Sequence, residues 1–349
     1  MSVKIDVKRV GTFTKLADKL VSNTDSNEKY QCFRTAVPGG QAPRLNEDPS
    51  LYGRLQEEMD LTLGCENYKD DGHGDRYCSF FDYIKKTTEK GSSMKEAIGA
   101  DFVSNRRNLI VIAQSAYKIE PMEIQAFRQN GVIFLCDKAE DLSVLIKKMG
   151  FSSFNFREEE VSWPQGHKFE RYLTLNEEGK PHDKYEELHT EERFKLVLRT
   201  TLKTTAKPPI KVFYAAEIDA VDSKGEYVEI KTTGLRHDMW LERNSLKNYL
   251  QSALANISYI IYGKKARGRW NHIYRVDKVF TETIPSDRVN WKKDVCFEQL
   301  FNVLDKIKSK LEYDDEALVL KKTEEGLFFE PECSKNCIFM DSDFLEHFA

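Results

Sequence analysis

The 349-residue sequence predicts a mixed α/β (α+β) fold in which twisted mixed β-sheets are flanked by helices. Short β-branched and aromatic runs, such as residues 212–221 and 227–231, alternate with stretches of helical apolar spacing, such as 244–255 and 297–311. Hydrophobic residues make up 40% of the chain, enough for a substantial core. No internal repeat, low-complexity tract or Pro/Gly-rich linker divides it, so residues 25–349 read as one domain. Residues 1–24 hold a short alternating run and a polar stretch that is either flexible or pairs at a sheet edge.

The elements follow from local pattern. Cys32-Phe33-Arg34-Thr35 followed by Val37-Pro38-Gly39-Gly40 reads as a strand and a turn, and residues 64–75, with Gly72-His73-Gly74, as a loop. Residues 77–90 and 94–107 read as helices, whereas Leu109-Ile110-Val111-Ile112-Ala113 and residues 131–136 read as short buried strands. Glu158-Glu159-Glu160, shortly before Pro164, reads as a solvated turn, and residues 169–173 as the start of a strand. Another strand covers 193–202, with Pro208-Pro209 as a bend or edge. The helix at 244–255 takes Asn244 or Ser245 as N-cap, and Leu246, Tyr249, Leu250 and Leu254 form its apolar stripe beside Gln251. Strands at 257–262 and 273–280 flank a basic run. Phe297, Leu300, Phe301, Leu304, Ile307 and Leu311 then mark one face of an amphipathic helix.

Chemistry is concentrated between residues 212 and 231. Two strands joined by Asp222-Ser223-Lys224-Gly225 form a predicted antiparallel hairpin. Alternation places Glu217 and Asp219 on one face of the first strand and Glu229 and Lys231 on one face of the second, while Ile218, Val228 and Ile230 point into apolar packing. Three carboxylates so close repel one another, and a hard divalent cation with oxygen ligands, Mg²⁺ or Mn²⁺, relieves that repulsion. Asp219, between the other two acids, is placed to bridge two ions, and Lys231 to orient water or offset charge on a phosphate. A solvated strand face with cross-strand Glu/Lys pairs is the competing reading.

Composition narrows the partners. The net charge of −4 argues against nucleic-acid binding by bulk charge and leaves local patches. Candidates are Lys195, Arg199, Lys203, Lys207 and Lys211, and the run Lys264-Lys265-Ala266-Arg267-Gly268-Arg269-Trp270, which reads equally as a solvated hairpin loop. Seven scattered cysteines suggest reduced thiols and a reducing intracellular compartment, and Cys333 with Cys337 lacks a second pair at zinc-ligand spacing. The charged start Met1-Ser2-Val3-Lys4-Ile5-Asp6 and the lack of any run of ~18 apolar residues disfavour secretion and membrane spanning.

Five segments occur together: Asp101-Phe102-Val103-Ser104-Asn105-Arg106, Gly166-His167-Lys168-Phe169-Glu170, Glu217-Ile218-Asp219, Glu229-Ile230-Lys231, and Gln251 on the following helix. Over roughly residues 25–310, in this order and spacing, the chain resembles the DXO family of decapping exoribonucleases. The resemblance implies a PD-(D/E)xK-nuclease-like catalytic core and a hydrolase acting at RNA 5′ ends on incomplete, non-standard or NAD caps or a terminal pyrophosphate, with 5′→3′ exoribonuclease action. It implies metal coordination by Glu170, Glu217, Asp219, Glu229 and the Ile230 carbonyl, catalytic roles for Lys231, Gln251 and Glu170, and substrate binding by Arg106, Lys231 and Gln251. By themselves Arg106 and Gln251 would read as surface residues and Glu170 as one acid among many. Some relatives bind a 5′→3′ exoribonuclease, and the nucleus or cytoplasm is the expected location. Asn105-Arg106-Arg107 departs from the family pattern, which commonly has Trp before the arginine and Gly after it. The alternatives are a member that binds RNA or protein without turnover, and an unrelated nuclease acting on DNA.

Overall fold

A computed structural model describes residues 2–16, 35–66, 68, 77–118, 121–137, 156–188, 192–337 and 339–349. Among these, the strands are β1 (Lys4–Lys15), β2 (Ala36–Pro38), β3 (Arg44–Leu45), β4 (Gly53–Asp60), β5 (Phe102–Asn105), β6 (Met122–Gln129), β7 (Val132–Asp137) and β8 (Thr174–Leu175). They continue as β9 (Arg193–Lys203), β10 (Ile210–Glu217), β11 (Ala220–Val221), β12 (Tyr227–Thr233), β13 (Tyr259–Ala266), β14 (Arg269–Phe280), β15 (Ala317–Thr323) and β16 (Gly326–Glu332). The helices are α1 (Cys78–Thr87), α2 (Met94–Ile98), α3 (Arg106–Gln114), α4 (Phe156–Tyr172), α5 (His237–Arg243), α6 (Ser245–Ala253), α7 (Lys293–Lys310) and α8 (Ser342–His347).

Alternation along β9 and β10 builds the larger sheet, whose strand order is β16-β15-β6-β7-β5-β10-β9-β1-β2. Leu196, Leu198, Leu202, Val212, Tyr214 and Ala216 enter one apolar cluster with Leu109, Leu246 and Leu300 of α3, α6 and α7. Val197 and Phe213 enter a second with Phe80, Phe81, Ile84 and Phe344 of α1 and α8. The sheet is therefore covered on both faces, which explains why its central strands read as nearly unbroken apolar runs. The smaller sheet runs β4-β14-β13-β12-β11-β3-β8. Val228, Ile230, Tyr259 and Ile261 pack on one side of it against Phe169 and Leu173, from α4 and just beyond it, in a third cluster.

The structure revises several local expectations. The 212–221 segment is not one strand: β10 ends at Glu217 in the larger sheet and β11 begins at Ala220 in the smaller. The hairpin survives as β11 and β12, with Ala220 opposite Val228. Residues 94–107 are not one helix, because Gly99 ends α2 in a left-handed conformation at φ 61°. Asn105 then caps α3, its side chain accepting from the Asn108 amide at 2.8 Å. Leu109-Ile110-Val111-Ile112-Ala113 is the body of that helix; α3 packs against both α6 and α7, so its apolar run shows no period that would tell helix from strand. Glu158-Glu159-Glu160 and residues 169–172 both belong to α4, which continues through Pro164. Phe169 and Leu173, four residues apart, reach the same cluster, as helical spacing requires. The alternating N-terminal run is β1, a 12-residue strand flanked by β9 and β2 rather than a flexible segment. Cys32-Phe33-Arg34 and most of the 64–75 loop lie outside the described residues. Strands at 131–136, 193–202, 257–262 and 273–280 and helices at 77–90, 244–255 and 297–311 fall close to expectation.

The Tyr214 hydroxyl joins three elements, bonding Thr200 Oγ1 of β9 at 2.6 Å and donating to the Leu254 carbonyl at the end of α6. Tyr214→Phe leaves the buried Thr200 hydroxyl and that carbonyl short of a partner. It should lower unfolding free energy by about 1–2 kcal/mol, read from urea denaturation with an unchanged slope.

Candidate metal centre and active site

Two parallel strand ends and one crossover set the frame. β5 runs parallel to β10, with Asn105 beside Ala215, so Arg106, the first residue of α3, stands at the same sheet end as Glu217. The chain then passes between sheets in two residues. Ile218 is 2% exposed in the main core, its amide bonded to the Phe194 carbonyl at 3.2 Å, and Asp219 emerges facing β12. There the Ile230 amide donates to Asp219 Oδ2 at 2.7 Å. Alternation on β12 sends Val228 and Ile230 toward α4 and leaves Glu229 and Lys231 on the opposite face.

Glu229 is the most enclosed of the acids, at 1% exposure. Lys231 and the Gln251 amide both donate to its Oε1, and Arg106 Nη1 lies 3.4 Å from its Oε2. Arg106 also donates to the Gln251 carbonyl and the Glu217 carbonyl, each at 3.2 Å. Lys231 Nζ stands 3.8 Å from Asp219 Oδ2. Arg106, Glu217, Asp219, Glu229, Lys231 and Gln251, drawn from two sheets and two helices, thus form one connected set. Glu170 arrives from α4, not from a strand, and His167 Nδ1 lies 3.1 Å from its Oε2. Its seat is built by contact: a Cβ on Gly263 of β13 would stand 2.6 Å from the Phe169 ring, so glycine there lets the helix approach.

The electrostatics reflect crowding. Burial, then Glu229 and Glu170 nearby, push the Asp219 carboxyl well above the usual carboxylate range despite Lys231 beside it. Burial alone would lower Lys231, but Glu229 and Asp219 more than offset that and keep the ammonium charged. For Glu217 burial works upward and is overcome by Arg193, Lys195 and His167, so it stays below the usual value. Arg193, a residue the motif reading passes over, donates to Glu217 Oε1 at 2.8 Å and approaches His167 Nε2 at 3.4 Å. The Glu217 to Lys195 register that brings it there is a tertiary fact with no local signature. The remaining basic row spreads away: Arg199 bonds the Ile98 carbonyl and Lys207 pairs with Asp305. The 264–270 run is a hairpin between β13 and β14, with Trp270 65% exposed.

A cleft of about 900 Å³ opens on Glu170, Glu217 and Asp219 and is lined also by Arg44, His167, Arg171, His182 and Arg193. As all-oxygen donors, Glu170, Glu217, Asp219, Glu229 and the Ile230 carbonyl suit a hard divalent ion, and the crowding felt by Asp219 is what such an ion relieves. In the present arrangement no group of three His, Cys, Asp or Glu side chains among the described residues is gathered closely enough to hold one. The reason is visible: Arg193 occupies Glu217, and Lys231, Gln251 and Arg106 occupy Glu229.

Comparison with known proteins bears on this arrangement. A family model described as RAI1 like PD-(D/E)XK nuclease matches residues 6–332. Decapping nuclease dom-3 of Caenorhabditis elegans is 29% identical over 305 residues, which cover 83% of this chain and 76% of that protein. The crystal structure of Scheffersomyces stipitis Rai1 superposes with a TM-score of 0.72 at 14% identity, covering 98% of this chain and 96% of that one. Candida albicans Rai1, solved in complex with pU5 and Mn²⁺, gives 0.70 at 15% identity over 98% and 93%. The resemblance to the decapping exoribonucleases read from the five motifs is borne out, as is the fold class.

Two outcomes follow for the metal-free chain. Because the fold binds the Asp219 proton more tightly than the unfolded chain does, its contribution is present below the ordinary carboxylate pKa and is lost as pH rises through the raised value. Asp219→Asn, which can still accept from Ile230, should therefore stabilise the chain in EDTA by on the order of 1 kcal/mol near pH 8 and by less near pH 5, measured by thermal melts. Gly263→Ala displaces Phe169 and should cost roughly 1–3 kcal/mol by urea denaturation.

Proposed function

The chain belongs to the RAI1-like PD-(D/E)XK nuclease family and is a metal-dependent nuclease, and on that premise we propose that it hydrolyses RNA at its 5′ end. The substrates in this reading are incomplete, unmethylated or NAD-type caps and terminal pyrophosphates, followed by 5′→3′ degradation. The observation that carries it is the joined set of Asp219, in the link between β10 and β11, with Glu229-Ile230-Lys231 on β12, beside a cleft that also exposes Glu170 and Glu217. Two relatives support the substrate class: one is named a decapping nuclease and the other was solved with pU5 and Mn²⁺.

Glu170, Glu217, Asp219, Glu229 and the Ile230 carbonyl would hold Mg²⁺ or Mn²⁺, two ions in our reading, which when bound polarise a phosphate oxygen and acidify water. The protein supplies the rest. Lys231, kept cationic by Glu229 and Asp219, can hold the attacking water or offset charge on a phosphate oxygen. Gln251 is aimed by its bond to Glu229 and offers its remaining polar capacity to the same water. Arg106 braces Glu229 and two backbone carbonyls, and any grip on RNA would exchange one of these contacts for a phosphate oxygen. The departures beside it favour an active enzyme over a scaffold without turnover. Asn105 spends its side chain capping α3, and Arg107 points outward, 79% exposed and 3.9 Å from Asp137, so neither enters the centre. A 5′→3′ exoribonuclease partner and a nuclear or cytoplasmic site belong to the same reading.

RNAs labelled at the 5′ end and bearing monophosphate, triphosphate, unmethylated cap or NAD should be cleaved in Mn²⁺ and spared in EDTA. Lys231→Ala should reduce kcat by on the order of 10² or more, and Asp219→Ala should abolish turnover. Absence of any metal-dependent RNA product would sink the reading, and cleavage confined to DNA would replace it with a DNA nuclease.

A further inference from the structure

The cations at the centre differ in where they sit. Lys231 and Arg106 both engage Glu229, deep between the sheets. Arg193 starts β9 at the mouth, lines the cleft with Glu170, Glu217 and Asp219, and its side chain is 18% exposed. One Nη holds Glu217 at 2.8 Å and the other faces His167, which in turn bonds Glu170, so a single guanidinium spans the two acids on the cleft side. Glu170, Glu217, Asp219 and Glu229 share this space with Arg106, Arg193 and Lys231. A divalent ion held by these acids would compete for the Glu217 oxygen that Arg193 now holds.

We propose that Arg193 is the counter-ion that a divalent metal displaces from Glu217, and that the freed guanidinium then takes a non-bridging oxygen of the RNA phosphate nearest the centre. The inference rests on the nuclease reading above. A guanidinium fork suits both partners, since carboxylate and phosphate present the same spacing of paired oxygens. Arg193 already lines the space a phosphate would enter. Arg193 is thereby a competitor of the metal and a binding residue for substrate.

Mn²⁺ uptake without RNA, followed by the electron paramagnetic resonance of free Mn²⁺, separates the two roles from turnover. Arg193→Gln removes a competitor and a repelling charge, so it should bind Mn²⁺ roughly five- to tenfold more tightly than the wild type. Its KM for 5′-monophosphate RNA should rise roughly tenfold or more, with kcat falling less than KM rises. Arg193→Lys should keep Mn²⁺ affinity near the wild-type value and recover part of the KM. Mn²⁺ affinity in Arg193→Gln equal to or below the wild type, or an unchanged KM, would overturn the proposal and leave the nuclease reading intact. Wild-type uptake no greater than that of Asp219→Ala would overturn both. Should Arg193→Gln fail to fold, an unchanged KM in Arg193→Lys decides against the proposal.

Discussion

The bond from the Ile230 amide to Asp219 Oδ2 is the constraint on which the centre depends. It closes the point where the chain leaves one sheet and joins the other, and it fixes the acid of the crossover against the strand that carries Glu229 and Lys231. With Ile218 buried on one side and Ile230 on the other, a one-residue slip would drive carboxylates into the apolar clusters, away from their donors, and take two aliphatic side chains out of them. Register and chemistry are thus set by the same few residues.

Around this stitch the protein keeps charge in a place that apolar packing would otherwise claim. Glu229 is enclosed as fully as the aliphatic residues of the core, yet Lys231, Gln251 and Arg106 all donate to it. Such a network is tolerable when each buried carboxylate has donors and costly when it does not. Asp219, pressed by two neighbouring acids, is the member left at a disadvantage in the metal-free chain. Stability is given up there for a function that needs a cation, a pattern common to active sites.

Much of this was legible in the sequence where alternation is strict. The 227–231 run showed which side chains share a face, the stripe of α6 placed Gln251 beside the sheet, and the order of five motifs carried the family. What stayed hidden was whatever depends on partners far along the chain. The run at 109–113 has no period because α3 packs on two sides, so it looked like a buried strand. Residues 169–173 read as the start of a strand, but docking of Phe169 and Leu173 on the smaller sheet goes with a helix that runs through Pro164 and carries Glu170. The break between β10 and β11 left no compositional mark, since Ile218 suits a continuous strand equally well. Arg193 was missed for the same reason: only the pairing of β9 with β10 brings it to Glu217.

The seat of Phe169 against bare backbone at Gly263 divides the centre mechanically. Glu217, Asp219 and Glu229 belong to sheet strands or the short link between them, whereas Glu170 and His167 ride together on a helix docked on the smaller sheet through Phe169, Leu173 and Gln165. Their bond ties the acid and its imidazole neighbour together on that one element. An acid and its imidazole neighbour thus reach the cleft from a helix, apart from the three acids set by the sheets.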